Sequence, residues 1–194
     1  MDVSSHGYSF LELTFVLGMM ATLGSVAIPQ TLVALDGLRT VGAARHIAAR
    51  LQRARMDAVT RSADVGLQVT QTTGGYSYAT YVDGNRNGVR SLEIQSGTDR
   101  QLVASERLSD QFGGVDFGAL PGLPSVDPGG TPPGTDPVRL GSGNLATFAA
   151  AGTSSSGSLY IRGRNAQYVV RIYGQTGKVR VLRFDSRTKQ WKPL

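Results

Sequence analysis

From Phe10 to Leu35 the chain is apolar except for a few small hydroxyl residues, Gln30 and one acid, Glu12. A run of this length matches the roughly 20 residues that an α-helix needs to cross a bilayer core of about 30 Å. Glu12 stands near its start. A charge at the middle of a membrane costs about 2.5 to 3.5 kcal/mol, less toward the interface, so an intramembrane carboxylate persists only where something pairs with it. If the chain is cut after Gly7, the new amino terminus is Tyr8. Its ammonium group can then sit near the Glu12 carboxylate of its own or a neighbouring subunit.

The order Gly7, Tyr8, Ser9, Phe10, Leu11, Glu12 followed by about twenty apolar residues resembles the prepilin peptidase signature of type IV pilins and type II secretion pseudopilins. The resemblance implies that Gly7 ends a leader, that Tyr8 is the N-methylated first mature residue, and that Glu12 is the assembly carboxylate. It also implies that Pro29 is the helix-kinking proline common in that family. The leader, Met1 to Gly7, departs from the pattern in having no Lys or Arg. Two other readings remain open for the same segment. An ordinary secretory signal would use Ser25-Val26-Ala27 as its small-x-small site, but its n-region would not be basic and its apolar core would contain Glu12. A plain single-span anchor explains the hydrophobicity and gives no reason for Glu12.

With 194 residues and no cysteine, the chain has room for one globular domain beyond the apolar run, and no disulfide, Cys-based zinc site or thiol nucleophile. After Leu35 the helical pattern becomes one-sided. Val41, Ala44, Ile47, Ala48, Leu51, Ala54 and Ala58 recur at three- and four-residue steps, with Arg39, Arg45, Arg50, Arg53 and Arg61 mostly elsewhere. This predicts one long helix, and Pro29, which cannot donate a backbone hydrogen bond, should bend or locally melt it.

From Val65 the period changes to that of strands. Val65–Val69 and Tyr76–Val82 flank a Thr72-Thr73-Gly74-Gly75 turn, a hairpin signal. Further short runs fall at Leu92–Ile94, Leu102–Val103, Val115–Phe117, Leu145–Ala149, Leu159–Ile161, Tyr168–Tyr173 and Val179–Phe184, the last four forming a C-terminal antiparallel meander. Between Leu120 and Pro137 lie six of the eight prolines and four glycines, which predicts an extended, mobile surface loop. The expected fold is α+β, a long helix packed on an antiparallel sheet. The divisions are a leader at 1–7, an apolar helix at 8–35, an amphipathic helix at 36–62, and a sheet domain at 63–194 that carries the loop 120–137.

The stretch Leu51-Gln52-Arg53-Ala54-Arg55-Met56-Asp57-Ala58-Val59 resembles the helix end of the GspH/FimT group of minor pseudopilins and minor pilins. So do Leu145 to Thr153 followed by Gly157 to Ile161, and the closing pair Val169–Ile172 and Thr176–Arg180. The resemblance implies processing by prepilin peptidase and insertion in the inner membrane with a periplasmic sheet domain. It further implies assembly with other pseudopilins or pilins into a helical filament on an inner-membrane assembly platform.

Two constellations raise other chemistry. Asp83, Asn85 and Asn87 with Gly88 imitate the start of a calcium loop, but the position that needs a bidentate acid holds Ile94, and Asn and Gly suit tight turns without metal. Calcium is therefore the minority reading, and no cofactor is expected. From Ser158 to Leu194 there are nine Lys or Arg residues against Asp185 alone, while the rest of the chain is net negative by two. Arg171, Lys178, Arg180 and Arg183 on strands beside Tyr173 suit nucleic-acid phosphates and bases. Contact with an acidic neighbour in a filament is the favoured explanation. With two histidines, His6 and His46, and no Gly-x-Ser-x-Gly elbow, phosphate loop or metal-binding His pair, nothing selects an enzyme.

Overall fold

A computed structural model of the chain describes residues 7, 9–141 and 143–194. Helix α1 (Phe10–Arg61) lies within the spans 8–35 and 36–62 expected to be helical, with unbroken helical geometry through Pro29. The expected melting is thus absent from the single chain, although the Ser25 carbonyl, four residues earlier, has lost its usual donor. The chain divides into two units, the first ending at Leu35 and the second spanning Asp36–Leu194.

In the second unit the small-residue stripe is the buried face of α1. Ala43, Ala44, Ile47, Leu51, Ala54 and Ala58 are essentially inaccessible, and alanine lets a helix approach its neighbours closely. At Gly42 even a methyl group would stand 2.9 Å from the Phe112 ring. The helix ends in a Schellman motif. Ser62 takes a left-handed conformation (φ 50), its N–H bonds the Val59 carbonyl at 3.3 Å, and the Ala63 N–H bonds that of Ala58 at 3.3 Å.

Strands β1 (Val65–Thr72) and β2 (Gly75–Val82) form the predicted hairpin, closed by the Thr72–Gly75 pair. With β3 (Arg100–Glu106) and β6 (Leu145–Phe148) they make a four-stranded sheet in the order β3-β2-β1-β6. A second sheet runs β10-β9-β8-β7-β4 from β4 (Asp116–Phe117), β7 (Gly157–Arg162), β8 (Gln167–Tyr173), β9 (Lys178–Asp185) and β10 (Gln190–Pro193). Strand β5 (Val138–Leu140) also pairs with β7. All the pairings are antiparallel. One core joins the helix stripe to both sheets through Leu67, Phe148, Leu159, Ile161, Val170 and Ile172.

The antiparallel sheet expected against the helix is present as two sheets sharing a core. Three expectations need correction. Leu145–Ala149, expected to open the C-terminal meander, instead supplies β6, which pairs with β1 in the first sheet and leaves β7, β8 and β9 as the meander. Leu92–Ile94 is not a strand but part of a short helix, α2 (Ser91–Ser96), which ends at Gly97 with φ 79. This three-residue run pairs with no strand, and Leu92 is left 78% exposed. The Pro/Gly-rich segment 120–137 does not project as a mobile loop. It lies as a strap across the outer face of the second sheet, where Leu123 joins Tyr160, Val169 and Leu182 in a second small core, with Val126 and Trp191 against it. The strap is fastened at 3.1 Å from Trp191 Nε1 to the Pro124 carbonyl. Its few apolar side chains supply burial that a composition of Pro and Gly conceals.

Where α1 enters the second unit, a buried acid joins it to the β7–β8 turn. Asp36 is 8% exposed, and its carboxylate accepts the backbone N–H of Arg164 at 2.9 Å and of Asn165 at 2.7 Å. Thr40 Oγ1 bonds the Asp36 carbonyl at 2.7 Å. A methyl group at Gly163 would stand 2.1 Å from Thr40 Oγ1 and 2.8 Å from the Asp36 carboxylate. Asp36→Ala removes two charge-assisted bonds and should cost about 2 kcal/mol. For a chain of this size that lowers Tm by about 4–8 °C. Thermal unfolding of the detergent-solubilised chain, with Asp36→Asn as an intermediate case, checks it.

Candidate functional site

Among its described residues, the first unit offers apolar surface and one charged side chain, Glu12. Phe10, Leu11, Phe15, Met20, Leu23 and Ile28 are all more than 60% exposed, and the helix is long and apolar enough to cross a membrane. Its hydroxyls need no outside partner. Thr14, Thr22, Ser25 and Thr31 each bond a carbonyl three or four residues back at 2.7–2.9 Å, which removes their cost in apolar surroundings. Glu12 has no such local solution, and among the described residues no cation stands within 4 Å of it. Gly7 lies just ahead of the helix; Tyr8, the expected first mature residue, lies outside the described residues.

The basic C-terminal strands form a patterned surface whose order only the register reveals. Arg180 on β9 pairs with Arg171 on β8, Arg171 with Ser158 on β7, and Ser158 with Arg139 on β5. All four point to the outer face, because their neighbours Val181, Val170, Ile172, Leu159, Val138 and Leu140 face the main core. Three arginines therefore stand in one row across four strands, at steps of about 4.8 Å per strand. Tyr173, paired with Lys178, carries the Arg171 guanidinium 5.6 Å and that of Arg180 5.9 Å from its ring centre. Tyr173, Lys178, Arg180, Ser156, Gln175 and Thr176 line an open groove of about 520 Å³. Arg183 does not join this row. It shares the parity of Val179 and Val181, and it lines a hollow with Leu120, Gln167 and Arg187 instead.

The strap occupies part of the row. Asp127 pairs with Arg171 at 2.5 Å, and Arg139 Nη1 donates to the Thr131 and Pro132 carbonyls at 2.8 and 2.7 Å. Arg171 Nε is buried without a hydrogen-bond partner. Beside it, Asp127, Arg139, Arg171, Ser158 and Tyr160 line a smaller hollow of about 240 Å³, which shares Ser156 with the lining of the groove.

In the Asp83 loop the carboxylate faces donors. Asp83 accepts the N–H groups of Asn85 at 2.9 Å, Arg86 at 2.8 Å and Gly88 at 2.7 Å. Burial pushes its pKa up, but these amides outweigh it and hold the carboxyl below its usual range. Asn85 Oδ1 accepts from the Asn87 N–H at 3.3 Å, and the Asn87 side chain donates to Glu93 at 2.7 Å. Asp99, 2% exposed and given no role by the sequence, clamps both ends of the loop through the Gly84 N–H at 3.1 Å and the Arg90 N–H at 2.9 Å. Among the described residues no group of three His, Asp or Glu could hold a metal ion.

An ionic cluster ties α1 to the first sheet. Glu106 pairs with Arg50 and accepts from the Tyr78 hydroxyl at 3.1 Å, while His46 Nε2 is 3.0 Å from that hydroxyl. Burial raises the pKa of Glu106, but bonds from Arg50 and Tyr78 and then the charges of Arg50 and His46 leave it lowered. Burial first, and then the Glu106 carboxylate, push Tyr78 well above its usual value. Nothing in sequence spacing links residues 46, 50, 78 and 106.

The family model of the type II transport protein GspH matches residues 43–177. The pilin-like protein PilA1 of Thermus thermophilus is 40% identical over 85 residues, 44% of this chain and 53% of that protein, so the chain spans about half the length of this relative. A structure of the minor pseudopilin EpsH from the type 2 secretion system of Vibrio cholerae superposes with a TM-score of 0.47 at 14% identity, covering 75% of this chain and 97% of that one. A second structure of EpsH gives 0.40 at 10% identity, covering 80% and 93%.

Because the folded pKa of Glu106 lies below its ordinary 4.5, its stabilisation is present above that pH and fades as pH falls through the folded value. Asp83 and Asp185 shift in the same direction, and Asp116, raised by burial, opposes them. Stability should therefore fall on acidification below about pH 4.5, and Glu106→Gln should flatten the fall without abolishing it. Urea midpoints across the acid range test this.

Proposed function

This chain belongs to the GspH family of type II transport proteins, its family match covering most of the sheet unit, and on that premise we propose that it is a minor pseudopilin. In this reading prepilin peptidase cuts after Gly7, and Tyr8 is methylated. The subunit then leaves the inner membrane for the pseudopilus of a type II secretion system, its sheet unit in the periplasm. The family match begins at residue 43, so the N-terminal part of this reading rests on the residues themselves. The observation that carries it is the first unit's exposed apolar helix with a lone carboxylate in its opening turn. Neighbouring copies or sister subunits in a filament would cover the apolar surface, and the Tyr8 amine of one would neutralise Glu12 of another.

Glu12→Ala should leave cleavage intact and reduce recovery in sheared filaments about tenfold, a loss of roughly 1.4 kcal/mol in assembly. Quantitative immunoblots of filament and membrane fractions measure it. Equal recovery of mutant and wild type rejects the pairing.

A second reading, favoured by the arginine row, is a minor pilin of a type IV pilus whose outer sheet face binds nucleic acid. Regular cations beside an aromatic ring suit a phosphodiester backbone with stacked bases. On this reading Arg180→Ala weakens salt-sensitive binding of single-stranded DNA in gel shifts. Arg183→Ala, on the opposite face, serves as its control and should matter less.

A further inference from the structure

In the row Arg180, Arg171, Ser158, Arg139 the strand register aligns three cations perpendicular to the strands over about 14 Å. Its members are not equally available. Arg180 and Lys178 line the open groove. Arg171, in the middle, is held by Asp127 at 2.5 Å with its side chain 18% exposed, and Arg139 is held by strap carbonyls. Asp127 thus places a carboxylate where an anion following the row would meet Arg171. The buried Arg171 Nε has no hydrogen-bond partner, so Asp127 leaves part of the guanidinium unsatisfied.

Resting on the nucleic-acid reading of this face, we infer that the strap is an autoinhibitory cover in which Asp127 acts as a built-in competitor for Arg171. A linear polyanion docks first on Lys178 and Arg180 beside Tyr173. It then displaces the Asp127 carboxylate and extends along the row to Arg171. The strap is suited to yield. Its two ends are held by the Leu120 N–H on Gln167 Oε1 at 3.1 Å and the Tyr160 N–H on the Pro137 carbonyl at 2.8 Å, while between them it is fastened to the outer face by Leu123, by the Trp191–Pro124 bond and by the contacts of Arg139 and Asp127, with no strand in between. Ser158, which accepts from Arg171 Nη1 at 3.4 Å, remains to orient the freed guanidinium.

The test uses the full chain in neutral detergent and a fluorescent single-stranded oligodeoxynucleotide, titrated over a range of salt. Asp127→Asn should bind about five- to tenfold more tightly than wild type at low salt. The slope of log affinity against log salt should steepen by about 0.7, the increment for one more phosphate contact on a single strand. Asp136→Asn makes the same change of charge on the same segment without freeing an arginine, and should do less. In the double variant Asp127→Asn/Arg171→Ala the gain should vanish. If wild type binds through Arg180 but Asp127→Asn matches it, or does no more than Asp136→Asn, the competitor role is overturned while the binding face stands. If neither wild type nor Asp127→Asn binds at low salt, the nucleic-acid reading fails and the competitor role falls with it.

Discussion

A carboxylate removed from water must be met by donors, and two of the three acids on α1 meet this demand in opposite ways. Asp36 is satisfied within the chain by the amides of Arg164 and Asn165. That bond fixes the start of the buried stripe against the turn between β7 and β8, with Gly163 leaving the space for it. Glu12 finds no cation within 4 Å among the described residues. The same helix is thus self-sufficient in one unit and, in the proposed function, dependent on other subunits in the other.

The sheet unit shows why alanine rather than a bulkier residue dominates the buried stripe. Two sheets share one core under the helix, and small side chains let the backbone come close enough to cover both. The ionic cluster of Arg50, Glu106, Tyr78 and His46 then fixes the helix at the edge formed by β3. A partly buried pair of this kind contributes through its satisfied hydrogen bonds more than through bare charge attraction.

The outer face of the second sheet is where fold and proposed function meet. Parity along β9 separates Arg180 from Arg183, and cross-strand register aligns Arg180 with Arg171 and Arg139. Composition identified a basic C-terminal region but could not count the cations on one face. Nor could it show that a segment of Pro and Gly would bury Leu123 and neutralise Arg171.

The sequence by itself determined the long helix, its apolar first half, its alanine stripe, the β1–β2 hairpin and the β7–β8–β9 part of the C-terminal meander, because helical and strand periods are local and repeat along the chain. It also singled out Glu12, since one charge in an apolar run stands out without any coordinates. Only the tertiary structure decided that the strands form two sheets, that Leu92–Ile94 turns into helix, and that Asp36, Asp99 and Glu106 are satisfied by groups distant in sequence. Those outcomes depend on which edges are free and which donors lie across a gap, and neither is encoded in the spacing of residues along one segment.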